Sequence, residues 1–594
     1  MIVALTLCNN FEMMKSDIAF TRCSSTHSRC DMIVSRRTSL KLAGTALVGL
    51  VALPVRAGDL TTDKIPPRIP LDEFVKDHQL LDALRRGVRA MKARKPSDPL
   101  SWFFQAAIHG VTIELIQNAA AGDPNLINVD QKKFWNQCPH FGQASANFLP
   151  WHRAYTHYFE RILRAHTGEP RFALPYWDYF RPENYRFPRE FGVRKLDQPL
   201  DGDSTNPLYH QERNIYFTDW EHWSGNNLPY SQLTPEAVDW SLARDATIFF
   251  GQTEREGLAG GIADEDASTR GRLESFPHDP IHRLVGGLIP RPPLPNPADP
   301  ANPIPQEPIA GGMAFPPTAG FDPIFCVHHS NLDRLWAEWS LMPGKSWGHF
   351  PPQDWFDDQP WHFYDVVLDN GQLKAVEVSR SRKEYFDYRA LGISFKSEDL
   401  TKTPLQLPDP TPAPPAALAS LMTSLARIDG FTAVNGLMPE RFAVNSVADR
   451  LRTPFAAART TAIAVGPPKR FLMRINGIDL NNVASTGFDV HLVGDTSTKP
   501  ERSDASFLGS IALFRHDGQQ AVAAGPHVGH GKNIRNASDT FDITGALAAS
   551  GQADPSKLHV VIVPYSLAAT VSDQKSIVET NALRFDSIEF LVSG

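Results

Sequence analysis

The run Phe276-Pro277-His278-Asp279-Pro280-Ile281-His282-Arg283 constrains this chain more than any other stretch. If it is helical, His278 and His282 stand one turn apart on one face, because residues four apart are helical neighbours. Two imidazoles so placed are two members of a three-histidine metal site. Pro280 is compatible with a first helical turn, where its missing N–H would have had no partner. Nothing before Ser275 reads as helix, so the helix is expected to start there. A second histidine set gives this pair its weight. Cys138-Pro139-His140, then Phe148-Leu149-Pro150-Trp151-His152-Arg153 ending at Glu160, joins the upstream His109 to offer three histidines from two helices and a loop. The first pair gains its third member from Asp322-Pro323-Ile324-Phe325-Cys326-Val327-His328-His329. Six neutral imidazoles without a carboxylate suit copper, with zinc second, over the hard cations.

The placement of these residues follows from hydrophobic period. Leu71–Lys95 is mostly helical in period, and Ser101–Gln117 reads as one apolar-periodic helix containing His109. Leu149–His166 is a strong helix with Pro150 in its first turn. Asp322–Trp339 is helical from about Pro323, with Leu332, Leu335, Trp336 and Trp339 on one face. Long loops join these elements, including the proline-dense Leu288–Pro308. The expected architecture is a mainly α domain, a four-helix bundle with histidines on facing helices. After Asp399 the texture changes. Residues 401–416, TKTPLQLPDPTPAPPA, form an extended proline-rich linker, and Ala417–Arg427 reads as a short helix. From about Lys469 short Val-, Ile- and Phe-rich runs alternate with turns, which predicts an all-β, sandwich-like second domain. The expected division is 1–57 extension and export signal, 58–399 histidine-bearing domain, 400–468 linker and 469–594 β domain.

Ser35-Arg36-Arg37-Thr38-Ser39-Leu40-Lys41 precedes the apolar stretch Leu42–Leu53 and the small-residue pattern Val55-Arg56-Ala57. This resembles a twin-arginine export signal, so the mature chain is expected outside the cytoplasm, periplasmic or secreted from a bacterium. Met32 would make a natural start for it. Cys8, Cys23 and Cys30 precede the signal, which leaves Cys138 and Cys326 and excludes a disulfide scaffold. A net charge of −7 over 594 residues gives no electrostatic case for nucleic acid. No apolar run reaches the length of a membrane span. Oligomeric state is not legible in the sequence. His527 and His530 read as exposed turn residues.

Taken together, these residues resemble the type-3 dicopper family: tyrosinases, catechol oxidases (polyphenol oxidases) and haemocyanins. The resemblance rests on Leu273–Gly287, on D-P-x-F…H-H…D-R-x-W from Asp322 to Trp336, and on Leu174-Pro175-Tyr176-Trp177-Asp178. FDVHLV at 488–493 resembles the C-terminal β domain of long polyphenol oxidases. The resemblance implies two coppers, one held by His109, His140 and His152, the other by His278, His282 and His329, with His328 adjacent. It implies a thioether between Cys138 and His140. It makes Glu274 a general base for a phenol proton, helped by Asp279, and puts Phe315 or Pro316 over the second copper. Arg153, Asp333 and Arg334 are expected to tie the ligand helices together by charge-assisted hydrogen bonds.

Two departures stand out. His140 and His152 are twelve apart where the family has nine, so a three-residue insertion near Gly142–Ala146 must loop out. Cys326 stands where a large apolar residue is usual and reads as a small buried hydrophobe. The implied activity is oxidation of o-diphenols to o-quinones, with monophenol hydroxylation where a phenolate reaches the second copper, and O2 reduced to water. A dioxygen carrier of haemocyanin type would use the same coppers behind a shielded pocket, but the export signal and the single dicopper unit argue against it. An o-aminophenol oxidase would share the site, and a zinc hydrolase is disfavoured by the lack of a carboxylate ligand. The β domain is expected to cover the site until the linker is cut.

Overall fold

The computed structural model describes residues 65–139, 147–214 except 185, 273–289, 309–343 and 361–397 of the N-terminal part. Beyond these it describes 422–430, 439–452, 470–478, 486–494, 504–511, 537–550, 554–566 and 583–593, with a few isolated positions. The export signal, the 401–416 linker, His140, His527 and His530 lie outside the described residues.

Five of the described helices carry the core of the histidine-bearing part. α1 (His78–Lys92) starts where the Asp77 carboxylate accepts from the N–H groups of Gln79 and Leu80. Its stripe of Leu80, Leu81, Leu84, Val88 and Met91 is buried. Gly87 lets this helix close on α3 (Phe148–Thr167), since a Cβ there would meet Thr167 Cγ2 at 2.8 Å and Leu163 Cδ1 at 2.9 Å. Helix α3 is buried on nearly every side, its charged residues included, and ends at Gly168 in the left-handed region. α4 (Asp279–Gly286) and α5 (Ile324–Trp339) complete the set with α2 (Trp102–His109).

Two expected helix boundaries are corrected. The helix predicted over Ser101–Gln117 breaks after His109: Gly110 is extended, and Thr112 caps a separate helix, Ile113–Gly122, by accepting from Leu115 N–H. Asn136 Oδ1 accepts the Val111 N–H, so the break leaves no orphaned donor there. The break puts His109 at a helix end, not mid-helix. The helix expected from Ser275 starts at Leu273, and its first turn, Glu274–His278, is wound as a π-helix that runs on into α4. Pro277 and Pro280 both lack the N–H an α-turn would use. The turn widens until Asp279 N–H reaches the carbonyl of Glu274, five residues back.

A hairpin of β1 (Trp361–Asp369) and β2 (Gln372–Arg380) packs on α3. The β domain is two four-stranded antiparallel sheets. One has the order β7 (Phe507–Ser510), β6 (Thr486–Val493), β9 (His559–Ser566), β4 (Glu440–Ala443). The other runs β8 (Ala537–Asp542), β5 (Arg470–Ile478), β10 (Ser587–Ser593), β3 (Met422–Asp429). Between them lies a shared core including Phe488, Val490, Phe541, Ile562 and Phe590. Strands β3 and β4 correct the expected helix at Ala417–Arg427 and the domain start at 469. Ala426 and Ile428 are buried while Arg427 is exposed, a period of two, and the strand is claimed by pairing with β10.

Candidate metal centre

Each candidate ligand reaches the centre by local rules. Trp102–His109 begins where Ser101 Oγ accepts from Phe104 N–H, and it delivers His109 at its last position. Helix α3 delivers His152 one turn inside its start, and α5 delivers His329 in its second turn. His278 and His282 follow one another over the π-turn and α4, their rings 4.5 Å apart. Gly286 at the end of α4 admits the chain at Ala314, whose backbone nitrogen would lie 2.1 Å from a Cβ there. That approach brings the Met313 carbonyl to His282.

Two groups of donors result: His278, His282, His328 and His329, and His109, Cys138 and His152. Within each group the ligand atoms lie within 4.8 Å of one another, and every member is buried. The groups meet. The His152 ring is stacked on that of His329 at 4.2 Å and 11°. His140 falls outside the described residues, so its meeting with Cys138 is not seen; Cys138 Sγ lies 3.6 Å from His152 Nε2.

The hydrogen bonds fix which nitrogen faces the centre. His152 Nδ1 donates to the Phe148 carbonyl at 2.7 Å and His282 Nδ1 to the Met313 carbonyl at 2.9 Å. A carbonyl oxygen can only accept, so both rings carry their proton on Nδ1 and present a lone pair at Nε2. His278 Nδ1 is 2.8 Å from Asp279 Oδ1, the same arrangement with a carboxylate. His282 Nε2 and His329 Nε2 approach to 3.3 Å. Burial holds the imidazoles neutral: it pulls His152 and His282 down to about 3, and His328 and His329 well below the ordinary value. Among the described residues neither cluster of buried imidazoles holds a carboxylate ligand, which makes a copper-type donor set, so the residues fit two copper ions.

Glu274 is buried one turn before His278, in the widened turn. Asp279, expected beside it as a second base, has its carboxylate on the His278 ring. Phe315 is partly buried and Pro316 buried, just after Met313. Cys326 is buried and its thiol is pushed well up by burial, in keeping with a small inert hydrophobe.

Sequence reasoning missed two rings. Phe148 lies 4.6 Å from both His152 and His278, and Phe325 lies 4.6 Å from His109 and 4.2 Å from His329. Each stands four residues before a histidine on its own helix, so each shares that histidine's face. The spacing was a usable signal. His328 joins the second cluster as well. Its ring is stacked 5.5 Å from His278, and neither of its buried nitrogens has a hydrogen-bond partner.

Residues 99–342 match the common central domain of tyrosinase. A tyrosinase of Hahella sp. (strain CCB-MM4) is 28% identical over 513 residues, covering 84% of this chain and 94% of that one. Polyphenol oxidase E, chloroplastic, of Solanum lycopersicum is 25% identical over 525 residues, 85% of this chain and 75% of its own. Among solved structures, a latent aurone synthase (polyphenol oxidase) shares the fold with a TM-score of 0.52 at 22% identity, over 89% of this chain and 90% of that one. The latent apple tyrosinase has a TM-score of 0.51 at 20% identity, over 89% and 98%. The two histidine clusters lie face to face inside the stretch that matches the tyrosinase central domain, and the chain is similar to tyrosinases and polyphenol oxidases over most of its length.

Proposed function

We propose that this copper-dependent phenol oxidase converts o-diphenols to o-quinones, with O2 reduced to water, and hydroxylates monophenols that reach the second metal. The observation that carries the reading is the stacking of His152 on His329, which sets two buried imidazole clusters in contact. In this reading His109, His140 and His152 hold one copper, and His278, His282 and His329 the other, in a four-helix bundle. The two coppers would bind O2 and take the electrons that the substrate gives up.

The chain's own residues do the rest. Phe148 and Phe325 fill the space beside the ligand rings and keep water from them. The Phe148 and Met313 carbonyls and the Asp279 carboxylate hold three rings by their Nδ1 sides. Glu274 takes the proton of the substrate hydroxyl. Asp279 then serves as a positioning residue for His278, and its part in proton removal is indirect. Cys138 is bonded to His140 by a thioether in this reading, which would stiffen the one ligand that comes from a loop.

The β domain keeps the enzyme latent. Strand β7 packs against Glu274–His278. The face of its sheet turned away from the sandwich core, with Asp489, His491, Val493, Val561 and Val563, is also buried. Export by the twin-arginine route, which carries folded proteins, would deliver the enzyme with its copper in place. No described helix is long and apolar enough to cross a membrane.

Oxygen uptake with quinone trapping tests these points together. Uptake with catechol that rises after cleavage between residues 401 and 421 supports a latent diphenol oxidase. Uptake unchanged by cleavage removes the latency reading. Product from a monophenol settles hydroxylation, and Glu274→Gln should slow it while leaving copper content alone.

A further inference from the structure

Helix α3 carries Glu160 two turns beyond His152, and α5 carries Asp333 one turn beyond His329. Both carboxylates are buried, and a single guanidinium joins them. Arg68 Nε and Nη2 donate to Glu160 Oε2 at 3.1 and 2.6 Å, and Nη1 donates to Asp333 Oδ2 at 2.8 Å. The free edge of each carboxylate is also engaged. Asp333 Oδ1 accepts from Arg153, the neighbour of His152, and Glu160 Oε1 accepts the Leu174 N–H at 2.7 Å. Two positive and two negative charges thus balance inside the core.

Arg68 belongs to neither ligand helix. Its N–H donates to the Ser394 carbonyl at 2.8 Å, and its carbonyl accepts from Lys396 N–H at 2.9 Å. Its guanidinium lies 5.7 Å from the Phe395 ring. The group that joins the two carboxylates is therefore anchored from outside both helices, by the start and the end of the histidine-bearing domain.

We propose that Arg68 is a positioning residue of the dicopper centre: it clamps the His152 helix to the His329 helix and so sets the separation of the two metal clusters. The inference rests on the copper reading above. A planar fork can hold two carboxylates on different edges at once, which the point charge of a lysine does less well. The His152 and His329 rings touch at 4.2 Å, so a slip between their helices changes the distance between the two clusters.

The test uses the copper-loaded, air-oxidised full chain and follows copper content, thermal unfolding and the Cu(II) electron paramagnetic resonance signal. Two closely coupled Cu(II) ions are silent, whereas separated ones are visible. The wild type should bind two coppers and be silent. Arg68→Lys should keep its copper yet show a signal from most of it, and Arg68→Met the same with a lower unfolding temperature. The double variant Arg68→Met/Glu160→Gln removes one charge of each sign. It should regain unfolding temperature but stay visible, because the bridge from Glu160 to Asp333 is then gone and Arg153–Asp333 alone does not hold the separation.

If Arg68→Lys and the double variant are as silent as the wild type at equal copper content, Arg68 only balances charge and the proposal is overturned. Should Arg68→Met fail to fold, Arg68→Lys still decides. A wild type that binds no copper, or binds two and shows them uncoupled, counts against the copper reading itself and takes the clamp with it.

Discussion

The two histidine clusters are built differently, and the difference tells which parts of such a site can be read from sequence. The second cluster is made of helical neighbours. His278 and His282 sit four apart and His329 lies in a regular helix, with His278 and His282 pinned by their Nδ1 atoms. The first cluster has one regular member, His152, one at a helix end, His109, and a sulfur, Cys138, in place of a third described imidazole. Helical period makes the second set legible. The first depends on the stretch between Cys138 and Phe148 and on a helix break, neither of which has a period.

Breaking one cluster at a time gives the largest expected effect. His282→Asn should leave one copper bound and abolish oxygen uptake, measured by metal analysis beside an oxygen electrode. His152→Asn should do the same from the other side. A variant that still turns over with one copper would mean the clusters do not act as a pair.

Removing copper should erase the contrast and leave a common pH response. Ordinary histidine titrates near 6.5, whereas burial lowers His152 and His282 to about 3 and lowers His328 and His329 as well. Below pH 6.5 the unfolded chain takes up protons that the folded chain refuses, so folding stability falls as pH falls, down to the folded values. Each such histidine contributes up to about 1.4 kcal/mol per pH unit in that window. Chemical denaturation of the copper-free protein between pH 7 and 4 checks this, and a flat profile contradicts it.

Cutting the link between the clusters comes next. Asp333 meets Arg68 and Arg153 inside the core, so Asp333→Ala leaves two buried cations short of a partner and should cost about 3–5 kcal/mol by denaturant titration. A loss below 1 kcal/mol would show that these pairs are solvated in solution.

The smallest effect should separate the clusters most cleanly. Asp279→Ala removes the acceptor at His278 Nδ1 and nothing from the first cluster. Affinity for the second copper should fall about 10–100-fold, with the first unchanged. Equal loss at both sites would show that the carboxylate supports the whole core instead of one ring.

Much of the centre was legible because its histidines fall on helices whose apolar stripes have one period, with His278 and His282 four positions apart. The β strands at 470–478, 488–493 and 559–566 were legible as short Val-, Ile- and Phe-rich runs set off by turns. Strand β3 was not, because Met422–Asp429 has weak alternation and becomes a strand through its pairing with β10. Arg68 was not, because nothing local marks it. Its role comes from carboxylates 92 and 265 residues away. Asp279 read as a base because its position beside a ligand fits that chemistry equally well, and only the ring distance assigns its partner. The π-turn was hidden for a related reason: two prolines three apart remove donors, and how the backbone answers depends on what Glu274–His278 packs against.

One measurement goes to the centre of the account. Copper(I) would be titrated anaerobically into the copper-free full chain trimmed at the linker, with catechol oxidation followed on admitting air. The account predicts a binding break at two equivalents and oxidation that appears only as the second copper binds. Full activity at one equivalent, or two coppers that bind O2 reversibly and leave catechol untouched, would contradict it.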